Sequence, residues 1–120
     1  MLCQFTVSNF CCIKDELTLD MQAANINEHS QTVLIEDDGE QFLPLAVIYG
    51  PNGGGKSTVL RALYALKRKI MMPICSATCP NKDCIIFSSP VNIEPFGFSK
   101  EMTKKPTEFE LFFRVSGYEY

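Results

Sequence analysis

Hydrophobic and polar residues alternate in three stretches of the chain, and each stretch predicts a β-strand with one buried face. The first is Leu2–Asn9 and the second is Leu17–Met21. Only a short segment separates them, so we expect these two strands to pair as an antiparallel unit. The third is Glu108–Val115, after which a Ser-Gly turn leads into a returning strand from Tyr118. Shorter strands are predicted at residues 33–35, 84–87 and 91–93.

The middle of the chain has a different pattern. Residues 43–49 read LPLAVIY, a near-continuous apolar run that is typical of a strand covered on both faces, as in a parallel sheet. From Ser57 the apolar residues recur at helical spacing, which predicts an amphipathic helix of about four turns that ends before Pro73. Its apolar stripe consists of Val59, Leu63, Leu66 and Ile70.

Composition limits the class of protein. The chain has 120 residues, of which 46% are hydrophobic and 21% charged, so we expect one folded unit rather than a disordered chain. No apolar run reaches the ~20 residues of a membrane-spanning helix, and no membrane partner is expected. The first basic residue is Lys14, so the start lacks the positive region of a secretory signal and predicts a cytoplasmic protein.

Charge and cysteine content change this picture little. The net charge of −3 divides unevenly, and the positive excess of residues 61–120 is too dilute to establish nucleic-acid binding. In a cytoplasmic protein the six cysteines are expected to be reduced thiols. The early cysteines, Cys3, Cys11 and Cys12, are expected to be buried as small hydrophobic residues. The later ones, Cys75, Cys79 and Cys84, lack a clear fourth ligand and do not predict a zinc site.

One segment carries recognisable chemistry. Residues 50–57 read GPNGGGKS and match G-x-x-x-x-G-K-[ST], the phosphate-binding P-loop or Walker A motif. The motif follows a predicted buried strand and opens a predicted helix, which is the context that phosphate binding requires. Glycines let backbone N–H groups approach phosphate oxygens, and the helix N-terminus adds a favourable dipole.

The motif predicts a site for ATP and Mg²⁺. Lys56 would contact the β- and γ-phosphates, Ser57 would offer its hydroxyl to Mg²⁺, and Thr58 would contact the α-phosphate. Lys56 is the one residue with a predicted catalytic role. The predicted nucleotide-binding residues are Gly50, Asn52, Gly53, Gly54, Gly55, Lys56, Ser57 and Thr58.

The segments IYGPNGGGKSTVLRAL and FTVSNFCCIKDELTLDM together resemble the ABC-type ATPase heads of overcoming-lysogenization-defect nucleases and of RecF-like and SMC-like repair proteins. They resemble most closely the AAA-like bacterial ATP-binding proteins of abortive-infection and retron-type defence systems. The matching residues are Ser8–Phe10, Asp15–Met21, Pro106–Glu110 and Tyr118–Tyr120. The resemblance implies an α/β P-loop NTPase fold: the amino-terminal lobe of an ABC-type head, with an antiparallel β layer.

The same resemblance, with the sequence patterns, divides the chain into a β-rich segment (1–42), the P-loop strand and helix (43–71), a mobile insertion (72–105) and the start of a β-hairpin (106–120). It implies a homodimer that forms through ATPase heads and hydrolyses ATP only when complete. It also implies a role in phage defence or DNA processing, with a nucleic acid or an effector protein as a further partner.

The sequence departs from the family pattern in the catalytic residues. No glutamine or histidine follows Ser57, no LSGGQ-like signature is present, and Asp83 does not follow an apolar strand. We therefore expect a fragment of a longer protein that binds ATP and does not hydrolyse it alone. Two alternatives stay open, a nucleotide-gated interaction module without catalysis and a small P-loop kinase acting on a metabolite.

Overall fold

A computed structural model describes residues 1–25, 30–78 and 91–120. In chain order its elements are β1 (Leu2–Ser8), β2 (Leu17–Asp20), a 3₁₀ turn (Ser30–Thr32), β3 (Leu34–Ile35), β4 (Gln41–Phe42), α1 (Lys56–Thr78), a second 3₁₀ turn (Met102–Lys104), β5 (Glu108–Val115) and β6 (Tyr118–Glu119). Within these ranges no helix has the length and apolar content needed to cross a membrane.

The main sheet has four strands in the order β2-β1-β5-β6, and every neighbouring pair is antiparallel. The predicted pairing of the first two strands is confirmed, with Phe5 opposite Leu19. On its other edge β1 pairs with β5, where Phe5 lies opposite Leu111. Strands β3 and β4 form a separate hairpin. This sheet and helix α1 are consistent with the predicted α/β class.

One hydrophobic core joins the sheet to the helix. Strand β1 buries Cys3, Phe5 and Val7, as its alternation predicts. The Phe109 ring of β5 lies on the same side, with its centroid 6.4 Å from that of Phe5 and 5.9 Å from that of Phe10. The helix contributes small side chains to this core. They are Val59, Ala62 and Ala65.

Helix α1 is longer than predicted, and its buried face consists only in part of the residues that were expected there. It continues to Thr78 with Pro73 inside it, so the prediction that Pro73 ends the helix is wrong. Proline removes one backbone N–H donor but has a helical φ, and side-chain hydroxyls support the final turns. Ser76 Oγ donates to the Pro73 carbonyl and Thr78 Oγ1 to the Ile74 carbonyl, each at 2.8 Å. Ile70, predicted in the buried stripe, is 49% exposed.

Residues 43–49 do not form the predicted strand. The exposed fraction is 73% for Leu45, 75% for Val47 and 90% for Tyr49. A strand covered on both faces requires paired neighbours, and no strand in the described ranges pairs with this segment. A backbone hydrogen bond from the Leu43 N–H to the Met21 carbonyl lies at its start.

Three further expectations concern the region after the helix begins. The strand predicted at 91–93 is absent; Val91 and Ile93 pack on the core without strand pairing. The strand predicted at 84–87 lies outside the described residues. Residues 72–78 belong to α1, and the division of the chain into four segments, with a mobile insertion at 72–105, stays a prediction.

Asn9 fastens the end of β1 to the segment that precedes β5. The residue is 2% exposed and has a φ of 51°, in the left-handed region that asparagine tolerates. Its Nδ2 donates to the carbonyls of Met102 and Lys105, both at 2.9 Å, and of Pro106 at 3.1 Å. Its Oδ1 accepts from the Phe96 N–H at 2.9 Å. The amide of Asn9 therefore lies within hydrogen-bond distance of four backbone groups that are far away in the sequence, and its two N–H donors are shared among the three carbonyls.

Arg114 joins the β3–β4 hairpin to the main sheet. Its guanidinium contacts Asp38 at 2.8 Å, Glu40 at 2.7 Å and Glu119 at 3.0 Å. It also lies over the ring of Phe42, 5.3 Å from the centroid. A side chain that is 10% exposed thereby has three carboxylate partners, so its charge is compensated.

We expect Asn9→Ala to lower the free energy of unfolding by about 3 kcal/mol, because it leaves buried backbone groups without partners and because alanine adopts the left-handed region less readily than asparagine. Asn9→Gly removes the same hydrogen bonds but has no penalty at positive φ, so it should be less destabilising than the alanine variant. Urea denaturation measures both variants. A loss below 1 kcal/mol for Asn9→Ala would contradict the role given to this amide.

Part of the loss of stability at low pH should come from the contacts of Asp38. The Glu40 backbone N–H, assisted by Arg114, holds the pKa of Asp38 below its usual value of 3.8. The stabilisation is therefore complete above the unfolded-state pKa and is lost as the pH falls through the lower folded-state pKa. The urea midpoint should drop below about pH 4, and this drop should be smaller in Asp38→Asn. The matched control, Asp37→Asn, should keep the full drop.

Candidate functional site

The segment Gly50–Ser57, called here the glycine-rich loop, connects the extended run at 43–49 to the first turn of α1. Gly53 and Gly55 have φ values of 82° and 81°, which residues with a Cβ atom rarely adopt. The Thr58 N–H donates to the Gly55 carbonyl at 2.9 Å, so the helical turn begins within the loop. The loop thus turns sharply and delivers the chain into the N-terminus of a helix, where backbone N–H groups are unpaired.

Lys56 folds back over the start of its own loop. Its Nζ donates to the Gly50 carbonyl at 2.9 Å and to the Pro51 carbonyl at 2.7 Å. These bonds join the last part of the loop to the first and keep the ammonium group beside it. An ammonium group has three N–H donors, so one is left for another acceptor.

Two cavities adjoin the loop. The smaller, about 330 Å³, is lined by Cys12 and by Asn52, Gly53, Gly54, Gly55, Lys56, Ser57 and Thr58. The larger, about 590 Å³, lies between the loop and residues 12–17. Gly50 lines only the larger cavity, whereas Gly53–Lys56 line both. The eight residues predicted from the motif therefore all line one or both of these neighbouring spaces.

The hydroxyl groups after the loop differ in their surroundings. Ser57 is exposed at the smaller cavity. Thr58 is 8% exposed, and its Oγ1 lies 3.1 Å from the Cys12 sulfur, close enough for a hydrogen bond. The Thr58 hydroxyl, which the motif predicts to contact a phosphate, is thus already paired with a thiol, whereas the exposed Ser57 lines the smaller cavity.

Cys12 is exposed, so the expectation that it packs in the core is wrong. Phe10 and Ile13 exchange backbone hydrogen bonds at 2.9 and 2.8 Å, which makes Cys11 and Cys12 the two residues of a tight turn. Because Phe10 and Ile13 are anchored in the core, the turn places the Cys12 sulfur against the glycine-rich loop. A Cβ added at Gly55 would lie 3.4 Å from that sulfur.

The sequence contained a signal for this turn. The alternation of hydrophobic and polar residues in β1 stops at Asn9, and residues 10–13 read FCCI, an apolar run that breaks the period of two. The other early cysteines are as expected or nearly so, since Cys3 is buried and Cys11 is half-buried. Burial raises the pKa of both thiols, which favours their protonated form.

The described residues contain no group of three histidine, cysteine or acidic side chains that could hold a metal ion. Of the later cysteines, Cys75 is buried in α1, and Cys79 and Cys84 lie outside the described ranges. The exposed Ser57 hydroxyl suits Mg²⁺, which keeps several water ligands and is commonly held by few protein groups together with substrate phosphates.

Comparison with models of protein families gives a match. A family model described as "AAA domain, putative AbiEii toxin, Type IV TA system" matches residues 45–120, which is more than half of the chain and includes the glycine-rich loop. No curated protein and no solved structure matches the chain. The family model confirms the resemblance to AAA-like bacterial ATPases that the sequence motifs indicate.

Proposed function

The chain belongs to this AAA-domain family, and on that premise we propose that it binds ATP with Mg²⁺ at the glycine-rich loop. The family supports an ATP-binding, ATPase-like domain in general terms. The assignment of the individual residues, the cofactor and the wider role is our proposal.

The observation that carries the proposal is the conformation of the loop at the start of α1. Two glycines in the left-handed region bring the backbone of Gly53–Ser57 around the smaller cavity, at the positive end of a helix that begins at Lys56. Unpaired N–H groups and the helix dipole both favour an anion at this place. A triphosphate is the anion whose charge and size suit a glycine-rich loop of this kind.

Each side chain of the site would have a distinct part. Lys56 would turn its remaining N–H donor to the β- and γ-phosphates, while its bonds to the Gly50 and Pro51 carbonyls keep the loop closed. Ser57 would hold Mg²⁺ through its exposed hydroxyl. Bound Mg²⁺ would neutralise phosphate charge. Thr58 would reach the α-phosphate only while sharing its hydroxyl with Cys12.

Hydrolysis needs groups beyond this loop. Phosphoryl transfer depends on an oriented water molecule and on charge stabilisation of the γ-phosphate, and the sequence after Ser57 has no glutamine or histidine for that task. We propose that a second head completes the site in a homodimer of the full-length protein. The resemblance supports a role of that dimer in phage defence or DNA processing.

A nucleotide-gated interaction module is the second candidate. The observation that favours it is the exposed apolar run beside the loop, in which Leu45, Val47 and Tyr49 are each more than 70% exposed. A surface of this kind suits protein contact, and nucleotide binding at Gly50–Ser57 would act directly on its end. This function requires binding of ATP but no turnover.

We predict that Lys56→Ala abolishes ATP binding without unfolding the chain, because the ammonium group donates to two loop carbonyls and contributes little to the core. At a ligand concentration 100 times the dissociation constant, ATP-Mg²⁺ should stabilise the wild type by about 2.7 kcal/mol. Thermal unfolding with and without ATP-Mg²⁺ measures this effect. Lys69→Ala, an exposed lysine on α1, is the matched control and should keep the stabilisation. Equal stabilisation of the Lys56→Ala variant would refute the site.

We also predict that residues 1–120 alone release phosphate from ATP no faster than their Lys56→Ala variant, since the loop supplies only part of the positioning that phosphoryl transfer requires. A phosphate-release assay at saturating ATP-Mg²⁺ compares the two proteins. A rate that depends on Lys56 would show that a catalytic base lies within this chain.

A further inference from the structure

The two cavities beside the glycine-rich loop differ in chemistry. The smaller one is lined by loop backbone, Lys56 and hydroxyl groups. The larger one combines apolar side chains with two carboxylates, those of Asp15 and Glu16. Its apolar walls are formed by Ile13, Leu17, Ile48, Tyr49 and Val59. A phosphate group would find few donors and two repelling charges there, so this space suits a different part of a ligand.

We propose that the larger cavity holds the nucleoside end of the bound nucleotide and that Asp15 and Glu16 accept hydrogen bonds from its ribose hydroxyls. The inference rests on the proposed function, because it takes the smaller cavity as the place of the phosphates. It names the substrate class of that site: ribonucleoside triphosphates, in preference to their deoxy forms.

The shared walls allow one molecule to occupy both spaces. Cys12 and Gly53–Lys56 line both cavities, so the two spaces adjoin each other at the loop. The ammonium group of Lys56 and the start of α1 attract phosphate to one side, and the carboxylates of residues 15 and 16 repel it from the other. This division of charge orients a nucleotide with its sugar towards the turn between β1 and β2.

The side chains of Asp15 and Glu16 are available for this contact. Both side chains are exposed, and within the described ranges neither has a hydrogen-bond or ion-pair partner. An ionised carboxylate only accepts hydrogen bonds, and the two ribose hydroxyls are donors. Tyr49, whose ring is 90% exposed at the same cavity, can stack on a base of any identity. The site therefore selects the sugar more strongly than the base.

Titration calorimetry of residues 1–120 with three Mg²⁺ complexes tests the inference: ATP, 2′,3′-dideoxy-ATP and tripolyphosphate. Dideoxy-ATP should bind about tenfold more weakly than ATP, the size usual for a hydrogen bond to a charged group, and tripolyphosphate more weakly than both. In Asp15→Asn/Glu16→Gln this ratio should fall towards one. The control Asp37→Asn/Glu101→Gln removes the same charge at exposed positions elsewhere and should keep the tenfold ratio.

The ratio is the readout because removing two negative charges strengthens the binding of every phosphate ligand alike. A ratio near one in the wild type, or a tenfold ratio that survives in Asp15→Asn/Glu16→Gln, overturns the ribose contact. Tripolyphosphate that binds as tightly as ATP overturns the nucleoside cavity and leaves the phosphate site intact. If none of the three ligands binds, the proposed function itself fails, and the inference with it.

Discussion

The packing of helix α1 on the central strand β1 is the contact on which the rest of the structure depends. Ala62 and Ala65 belong to the same cluster of buried side chains as Phe5 and Val7, so this core joins the helix to the sheet. The helix begins at Lys56, and its position therefore fixes where the glycine-rich loop ends. Larger side chains at the two alanines would force the helix away, because packed interiors accommodate added volume poorly.

The same core also sets the other side of the candidate site. Phe10 and Ile13 belong to the cluster, and the turn between them carries Cys12 to within 3.1 Å of Thr58. The loop and the turn are thus positioned by one set of buried residues, although 46 residues separate Cys12 from Thr58. Asn9 extends this arrangement by fixing residues 96–107 to the end of β1. The cavities at the loop follow from these contacts.

The sequence predicted the elements whose pattern depends on one buried face. The predicted ranges of β1 and β5 agree with the structure because the alternation of hydrophobic and polar residues is a local property of the sequence. The end of α1 could not be predicted, since Pro73 allows two outcomes and the hydroxyls of Ser76 and Thr78 support one of them. The run at 43–49 was predicted as a strand but does not form one. Unlike the alternation of β1 and β5, its pattern requires neighbouring strands, and the described residues do not supply them. The motif GPNGGGKS predicted the loop. The residues that lie beside it, Cys12, Asp15 and Glu16, are brought there by tertiary packing and could not be predicted from the motif.

The central claim is that the loop backbone at the start of α1 binds phosphate, and amide nuclear magnetic resonance tests it most directly. Addition of ATP-Mg²⁺ to ¹⁵N-labelled residues 1–120 should shift the amide signals of Gly53, Gly54, Gly55, Lys56 and Ser57 most strongly. Signals of Tyr118 and Glu119, in β6, should stay in place. Shifts that are absent from the loop, or that are larger in β6 than in the loop at saturating ATP, would contradict the account.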